Sequence, residues 1–348
     1  MINSIVSAVF LSGLFSLNAA SFEAAGEREF FNQLSRGSRE LNGLTGLSPE
    51  EGPPQPPVPA ATGGAEVTDK YKAGFESADS EFDDRTAERL KAHKILFVPG
   101  FLYDRDIKSE EEEAHAFDEQ LDWLKSIGID CERLKLKSAA SIRENAVVIS
   151  AAVEASPLPV IIIGHSKGGL DTLEALITNR ALLKKVRGVV TIQTPFSGTP
   201  VADYMSSQNV LRKIAIKLLY KLGGAEEVMK QLGTVERKSY LLARRGEIAE
   251  IIAAVPVISL GTWKDKSVNG DTRLKLLRDA MLRRGLRNDG LVPLDSALLP
   301  GADHIKLGGL SHTVTVTPSK RIPFDRIKFT KALLLMILNR QAPGGSPG

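Results

Sequence analysis

Two rhythms of apolar residues alternate along the chain. The first is a short unbroken run closed by a turn residue, as in "KILFVPG" from Lys94, "VIIIG" from Val160, "RGVVTIQT" from Arg187 and "VPVISL" from Val255. The second is a spacing of three and four, as in Phe117, Leu121 and Leu124, or Leu170, Leu173, Leu176 and Ile177. Unbroken short runs mark strands covered on both faces, and three-four spacing predicts helices with one buried stripe. In order, the chain predicts a strand in "KILFVPG", a helix in "SEEEEAHAFDEQLDWLKSIG", a strand at "IDCERLKL" and a helix at "SIRENAVVISAAVEA". A strand at 159–163, a helix at 167–178, strands at 187–194, 255–260 and near 303–307, and a final helix in "FDRIKFTKALLLMILNR" follow. Strands alternating with helices predict the α/β class: a mostly parallel sheet with helices on both faces.

Three segments stand outside this rhythm. Residues 1–20, with an apolar core from Ile5 to Leu17 and small residues at Ala19 and Ala20, resemble a signal peptide and predict a secreted or periplasmic protein, although no Lys or Arg precedes Arg28. Residues 21–88 include "SPEEGPPQPPVPAATGG" and read as a flexible Pro/Gly-rich tail and linker, so the folded domain is expected over 89–342, with 343–348 as a disordered tail. The stretch from 195 to 254 is far longer than the roughly dozen residues a crossover needs, which predicts a helical lid at about 205–253 over the ends of the strands. Within it, Leu211, Ile214, Ala215, Leu218, Leu219 and Leu222 form one stripe, opposite Arg212, Lys213, Lys217 and Lys221. That helix reads either as a cap packed on the core with its lysines in water, or as a cover over the acyl pocket that swings onto a membrane or lipid surface with its basic side toward anionic head groups.

Composition narrows the function. The chain has 348 residues and 43% hydrophobic content, enough for a full α/β core. A net charge of +3 with no Lys/Arg block argues against a nucleic-acid partner. Cys131 is the only cysteine, which rules out an internal disulfide and a Cys-based zinc site. The glutamates from 110 to 113 follow Ser109; Ser109 and Glu112 fit a capping box, so the acidic run predicts a helix start and not a cation site.

The chemistry is concentrated in "PVIIIGHSKGGLDTLEAL", residues 159–176. Here Gly164-His-Ser166-Lys-Gly168 sits between a strand and a helix, the context a nucleophile elbow requires. The glycines leave room for a strained turn, and Ser166 falls at a helix N-terminus, where free N–H groups favour developing negative charge. A serine hydroxyl needs a base, and the base an orienting acid. Of five histidines, His165 should point away from its neighbour, and His93 and His115 read as surface residues. His304 lies in or at the start of a strand. His312, on a loop after Gly308 and Gly309, is the preferred base, since α/β sites form at strand C-terminal ends. For the acid, Asp289 in "NDGLVP" and Asp265 in "GTWKD" both qualify, and the residues alone leave the choice open.

Taken together, "GHSKGGLD", "VVTIQTPFSGTPVADY", "NDGLVPLDSA" and "GGLSHT" resemble segments of the bacterial triacylglycerol lipases and related α/β-hydrolase esterases, over roughly residues 94–315. The resemblance implies an α/β-hydrolase fold with a lid, Asp289 as the acid, and backbone oxyanion donors at Phe101 and Lys167. It further implies a Ser-His-Asp carboxylic ester hydrolase acting on lipid or acylglycerol, without a cofactor. The chain departs from the pattern at "FVPGFLYD", where many relatives have His-Gly and this chain has Pro99-Gly100. Thr313 and Val314 follow His312 where some relatives carry a calcium ligand, so no metal site of that kind is expected. An acyltransferase with the same triad, or a non-catalytic lipid-binding protein of this fold, are the alternative readings.

Overall fold

The computed structural model describes residues 64–101, 115–137, 140–206, 226–265, 274–318 and 323–340. All of them belong to the larger of two units into which the chain divides, Pro56–Arg105 with Ala114–Gly348. From its start come helices α1 (Thr68–Glu81) and α2 (Asp84–Lys91), strand β1 (Lys94–Val98), helix α3 (Asp118–Ser126) and strand β2 (Cys131–Arg133). Helix α4 (Ile142–Ala155), strand β3 (Val160–His165), helix α5 (Lys167–Thr178) and strand β4 (Val186–Ile192) form the middle. Then come helices α6 (Pro200–Ser206), α7 (Glu226–Gln231), α8 (Thr234–Ala243) and α9 (Arg245–Ala254) and strand β5 (Val257–Trp263). Helix α10 (Lys275–Leu282), strand β6 (Asp303–Gly308) and helix α11 (Arg326–Leu338) complete the order.

The strands make one six-stranded sheet in the order β2-β1-β3-β4-β5-β6, with every neighbouring pair parallel. The unbroken apolar runs are explained by burial on both faces. Leu96, Val98, Val160 and Ile162 join one core with Ile149 of α4, Leu173 of α5 and Ile251 of α9. Their neighbours Ile95, Phe97, Ile161 and Ile163 join the other, with Tyr71 of α1, Leu124 of α3 and Phe329 of α11. Each such side chain contributes roughly 1.5–3 kcal/mol when fully buried. Strand order reverses at β1, which has β2 on one side and β3 on the other. The crevice beyond the C-terminal ends of β1 and β3 is therefore where a site is expected.

The structure corrects the expected boundaries. Residues 64–88, read as part of the linker, are ordered and start the domain. Tyr71, Ala78 and Leu90 are buried, Lys331 bonds Asp79 at 2.7 Å, and Arg89 donates to the Leu338 carbonyl at 2.9 Å. Before α1, Glu66 bridges His304 in parallel, so this segment covers the outer edge of β6. The buried stripe of α1 is narrow among polar residues, which is why periodicity passed over it. In "IDCERLKL" only Cys131–Arg133 pair into the sheet. The acidic helix begins at Asp118, after Phe117 at φ 70°; the capping box at Ser109 lies outside the described residues, as do the signal-like segment and the basic-striped helix expected at 209–224. Of the region expected as a lid, α9 packs under α5 with Ile248 and Ile251 in the core. It is a crossover helix covering the sheet.

Candidate active site

Ser166 occupies the single residue between β3 and α5, at φ 53° and ψ −127°. A non-glycine residue there is strained by roughly 1–3 kcal/mol, and persists only if its surroundings fix it. They do. A Cβ on Gly168 would come within 2.2 Å of the Val98 carbonyl oxygen, and one on Gly164 within 3.0 Å of the Gly169 Cα. The elbow is thus clamped against β1, and the Ser166 amide donates to the Ile192 carbonyl at 2.9 Å.

Two loops bring partners to the serine. His312 Nε2 stands 3.0 Å from Ser166 Oγ, and its Nδ1 stands 2.8 Å from Asp289 Oδ2. A carboxylate only accepts, so Nδ1 carries the ring proton and Nε2 is left to accept from the hydroxyl. The other oxygen of Asp289 accepts from the amides of Leu291 and Val292 at 2.9 and 2.8 Å, and the His312 amide donates to the Asp289 carbonyl. The Asn-Asp-Gly turn is built for this: Asn288 bonds the Gly290 amide and the carbonyls of Leu286 and Arg278, and Gly290 takes φ 107°. Both His312 and Asp289 are buried, with side chains 4% and 1% exposed, which strengthens their hydrogen bond relative to water.

The remaining candidates are elsewhere. Asp265 is exposed just after β5. His304 is inside β6, 3.9 Å from Glu66. His93 bonds the Arg89 carbonyl and His115 faces Asp118. Phe101 follows Gly100, whose position is so near the serine that a Cβ would meet Ser166 Cβ at 2.8 Å. Lys167 opens α5, at a position whose amide has no acceptor within the helix. Among the described residues no group of three His, Cys, Asp or Glu side chains is gathered for a metal ion.

Sequence reasoning missed the supports of this arrangement. His165, read as mere packing, donates from Nε2 to the His312 carbonyl at 2.8 Å, with the two rings 4.9 Å apart. Burial, then the facing His312, lower its pKa to about 3, so it is neutral. Gln193, at φ 54°, donates to Thr262 Oγ1 at 2.5 Å and to the Ser311 carbonyl at 3.2 Å, and accepts from Thr315 Oγ1 at 2.9 Å. It pins the loop carrying His312. Under the elbow, the buried Lys167 ammonium bonds both oxygens of Asp171 at 2.9 and 3.0 Å, and Asn145 of α4 bonds Asp171 Oδ2 at 2.9 Å. Only a polar residue directly after a strand, as at Gln193, hinted at any of this.

No protein-family model matches the chain, and no curated protein matches it by sequence. Solved structures do. A metagenomic carboxyl esterase superposes with a TM-score of 0.59 at 21% identity, covering 84% of this chain and 82% of that one. The mature form of a Bacillus licheniformis lipase superposes with a TM-score of 0.50 at 24% identity, covering 63% and 84%. With the parallel sheet, its flanking helices and the strand-corner-helix at Ser166, these likenesses establish that the chain has the α/β-hydrolase fold.

Proposed function

We propose that the protein is a serine hydrolase of carboxylic esters. The observation that carries the reading is the unbroken hydrogen-bonded line Asp289–His312–Ser166 ending on a strained strand-to-helix corner. His312 Nε2 takes the hydroxyl proton as Ser166 Oγ bonds the ester carbonyl carbon. Asp289 fixes the imidazole tautomer and stabilises its positive form. The amides of Phe101 and Lys167 receive the oxyanion, a term worth about 10²–10³ in rate per donor. His312 then returns the proton to the leaving alcohol, and water, activated by the same imidazole, releases the acyl group from Ser166. Lipid or acylglycerol is the substrate class we favour, supported by the sequence resemblance and by the similar solved structures, which include a carboxyl esterase and a lipase.

A panel of p-nitrophenyl esters of graded chain length, with emulsified triglyceride alongside, tests the reading. Ester hydrolysis should be lost in Ser166→Ala by about 10⁶ if the triad acts as a unit, and a fluorophosphonate should label Ser166 alone. Undiminished turnover in Ser166→Ala, or labelling at another serine, refutes it.

A further inference from the structure

The turn that carries Asp289 is held from a loop that supplies none of the three triad residues. That loop joins β4 to α6 and ends on the buried Thr199. The Thr199 amide donates to the Leu232 carbonyl, in the turn between α7 and α8, at 3.0 Å. Its hydroxyl oxygen accepts from the Val201 amide at 3.2 Å, the bond of a helix cap for α6. A hydroxyl also has one proton, and a cap does not use it. Here the proton goes to the carbonyl oxygen of Leu291.

The destination ties Thr199 to the acid. The Leu291 carbonyl and the Val292 amide are the two ends of one planar peptide unit. Its carbonyl end accepts from Thr199, and its amide end donates to Asp289 Oδ1 at 2.8 Å. Asp289 Oδ2, the other oxygen, faces His312 Nδ1. Rotating a rigid peptide to free one end swings the other, so the Thr199 bond and the seat of Asp289 move together. A bond accepted at the carbonyl also polarises the unit and strengthens its amide as a donor. Resting on the reading of Ser166, His312 and Asp289 as a triad, we propose that Thr199 is a positioning residue for the acid. Through the 291–292 peptide it fixes the Asp289 carboxylate in the orientation that holds the His312 imidazole.

A neighbouring bond supplies the control. Ser296 Oγ donates to the Gly198 carbonyl, and the Ser197 amide donates to the Ser296 carbonyl at 3.3 Å. Ser296 thus clasps the same two loops with a buried hydroxyl, but its proton goes to Gly198 and not to the peptide that seats Asp289.

Thr199→Val, Thr199→Ser and Ser296→Ala are compared with wild type in urea unfolding and in the low-field proton resonance of His312 Nδ1–H. Their kcat and KM are measured on a soluble p-nitrophenyl ester, per active site counted by fluorophosphonate labelling. Valine keeps nearly the same shape and removes the proton. Its kcat should fall on the order of tenfold, about the worth of one hydrogen bond between uncharged groups. KM should move less than about twofold, and the low-field resonance should shift upfield or broaden. Serine restores the proton and should recover most of the lost rate. Ser296→Ala should destabilise the fold comparably and keep wild-type kcat and resonance. In an Asp289→Ala background, Thr199→Val should cost less than about twofold, since no carboxylate remains to be seated. Wild-type kcat in Thr199→Val overturns the proposal. So does an equal loss of kcat in Ser296→Ala, or an undiminished cost in the Asp289→Ala background, since either makes the hydroxyl a general clasp between loops. A Thr199→Val chain that does not fold overturns it too, by making the hydroxyl a fold-holding element. Persistent turnover in Ser166→Ala would instead overturn the hydrolase reading on which this rests.

Discussion

Acidifying the protein from pH 7 to pH 4 asks a fully buried imidazole to accept a proton it has no room to solvate. His165 is 0% exposed, and its Nε2–H is already committed to the His312 carbonyl. Its folded pKa is about 3 against 6.5 for a free imidazole, chiefly through burial and secondarily through His312. The unfolded chain takes up the proton near pH 6.5, and the folded one resists until near pH 3. The depressed value belongs to the folded state, so this contribution to stability is complete above 6.5 and is lost as pH falls toward 3. At about 1.4 kcal/mol per pKa unit, the loss between pH 7 and pH 4 comes to about 3 kcal/mol. Domains are stable by roughly 5–15 kcal/mol, so a loss of that size is readily measured.

His165→Gln isolates the effect. A glutamine amide can reach the His312 carbonyl as Nε2 does, and it does not titrate. Urea unfolding followed by far-UV circular dichroism at pH 7, 6, 5 and 4 should show the gap between variant and wild type shifting by about 3 kcal/mol in the variant's favour as the pH drops. Asp171 works in the opposite sense. Its folded pKa is raised, so its contribution is present at low pH and is lost as pH rises through about 6. Asp171→Asn should accordingly lose ground to wild type on acidification. Parallel pH profiles for His165→Gln and wild type would refute the claim that this imidazole is held neutral by burial.

Three substitutions probe the site itself. Gly100→Ala places a methyl 2.8 Å from Ser166 Cβ; kcat/KM should fall by about 10² or more, as expected when a reacting group is displaced by about an ångström, and retained activity would mean the β1 loop yields freely. Asp289→Asn should lower kcat by about 10⁴ at neutral pH, because the amide favours the wrong imidazole tautomer, whereas Asp265→Asn should match wild type; the reverse pattern in ester assays would exchange their roles.

The parts of this molecule legible from sequence were those set by periodicity. The run from Val160 to Ile163 and the stripe from Leu170 to Ile177 became β3 and α5 within a residue or two, since a strand buried on both faces and a helix with one buried side leave unmistakable patterns. Helix α1 did not, because most of its residues are polar and only Tyr71 and Ala78 among its apolar side chains are deeply buried. The facing of His312 to Asp289 across a Gly-rich turn depends on register between two loops, which no local pattern encodes. That is why the residues alone left Asp265 in contention.

What the sequence hid most completely is where strain collects. Among the described residues three non-glycines have positive φ: Phe117, Ser166 and Gln193. They are far apart in sequence, yet each bears on His165. Ser166 is its neighbour, the Phe117 ring meets it edge-on at 6.4 Å, and Gln193 holds the Ser311 carbonyl beside the His312 it bonds. Each costs something like 1–3 kcal/mol, so scattered at random they would only weaken the domain. Gathered around one imidazole they leave the corner and the His312 loop few ways to relax, since moving either breaks bonds to the other. His165, next to Ser166 in the chain and bonded to the His312 carbonyl, ties the strained corner to the loop that carries His312.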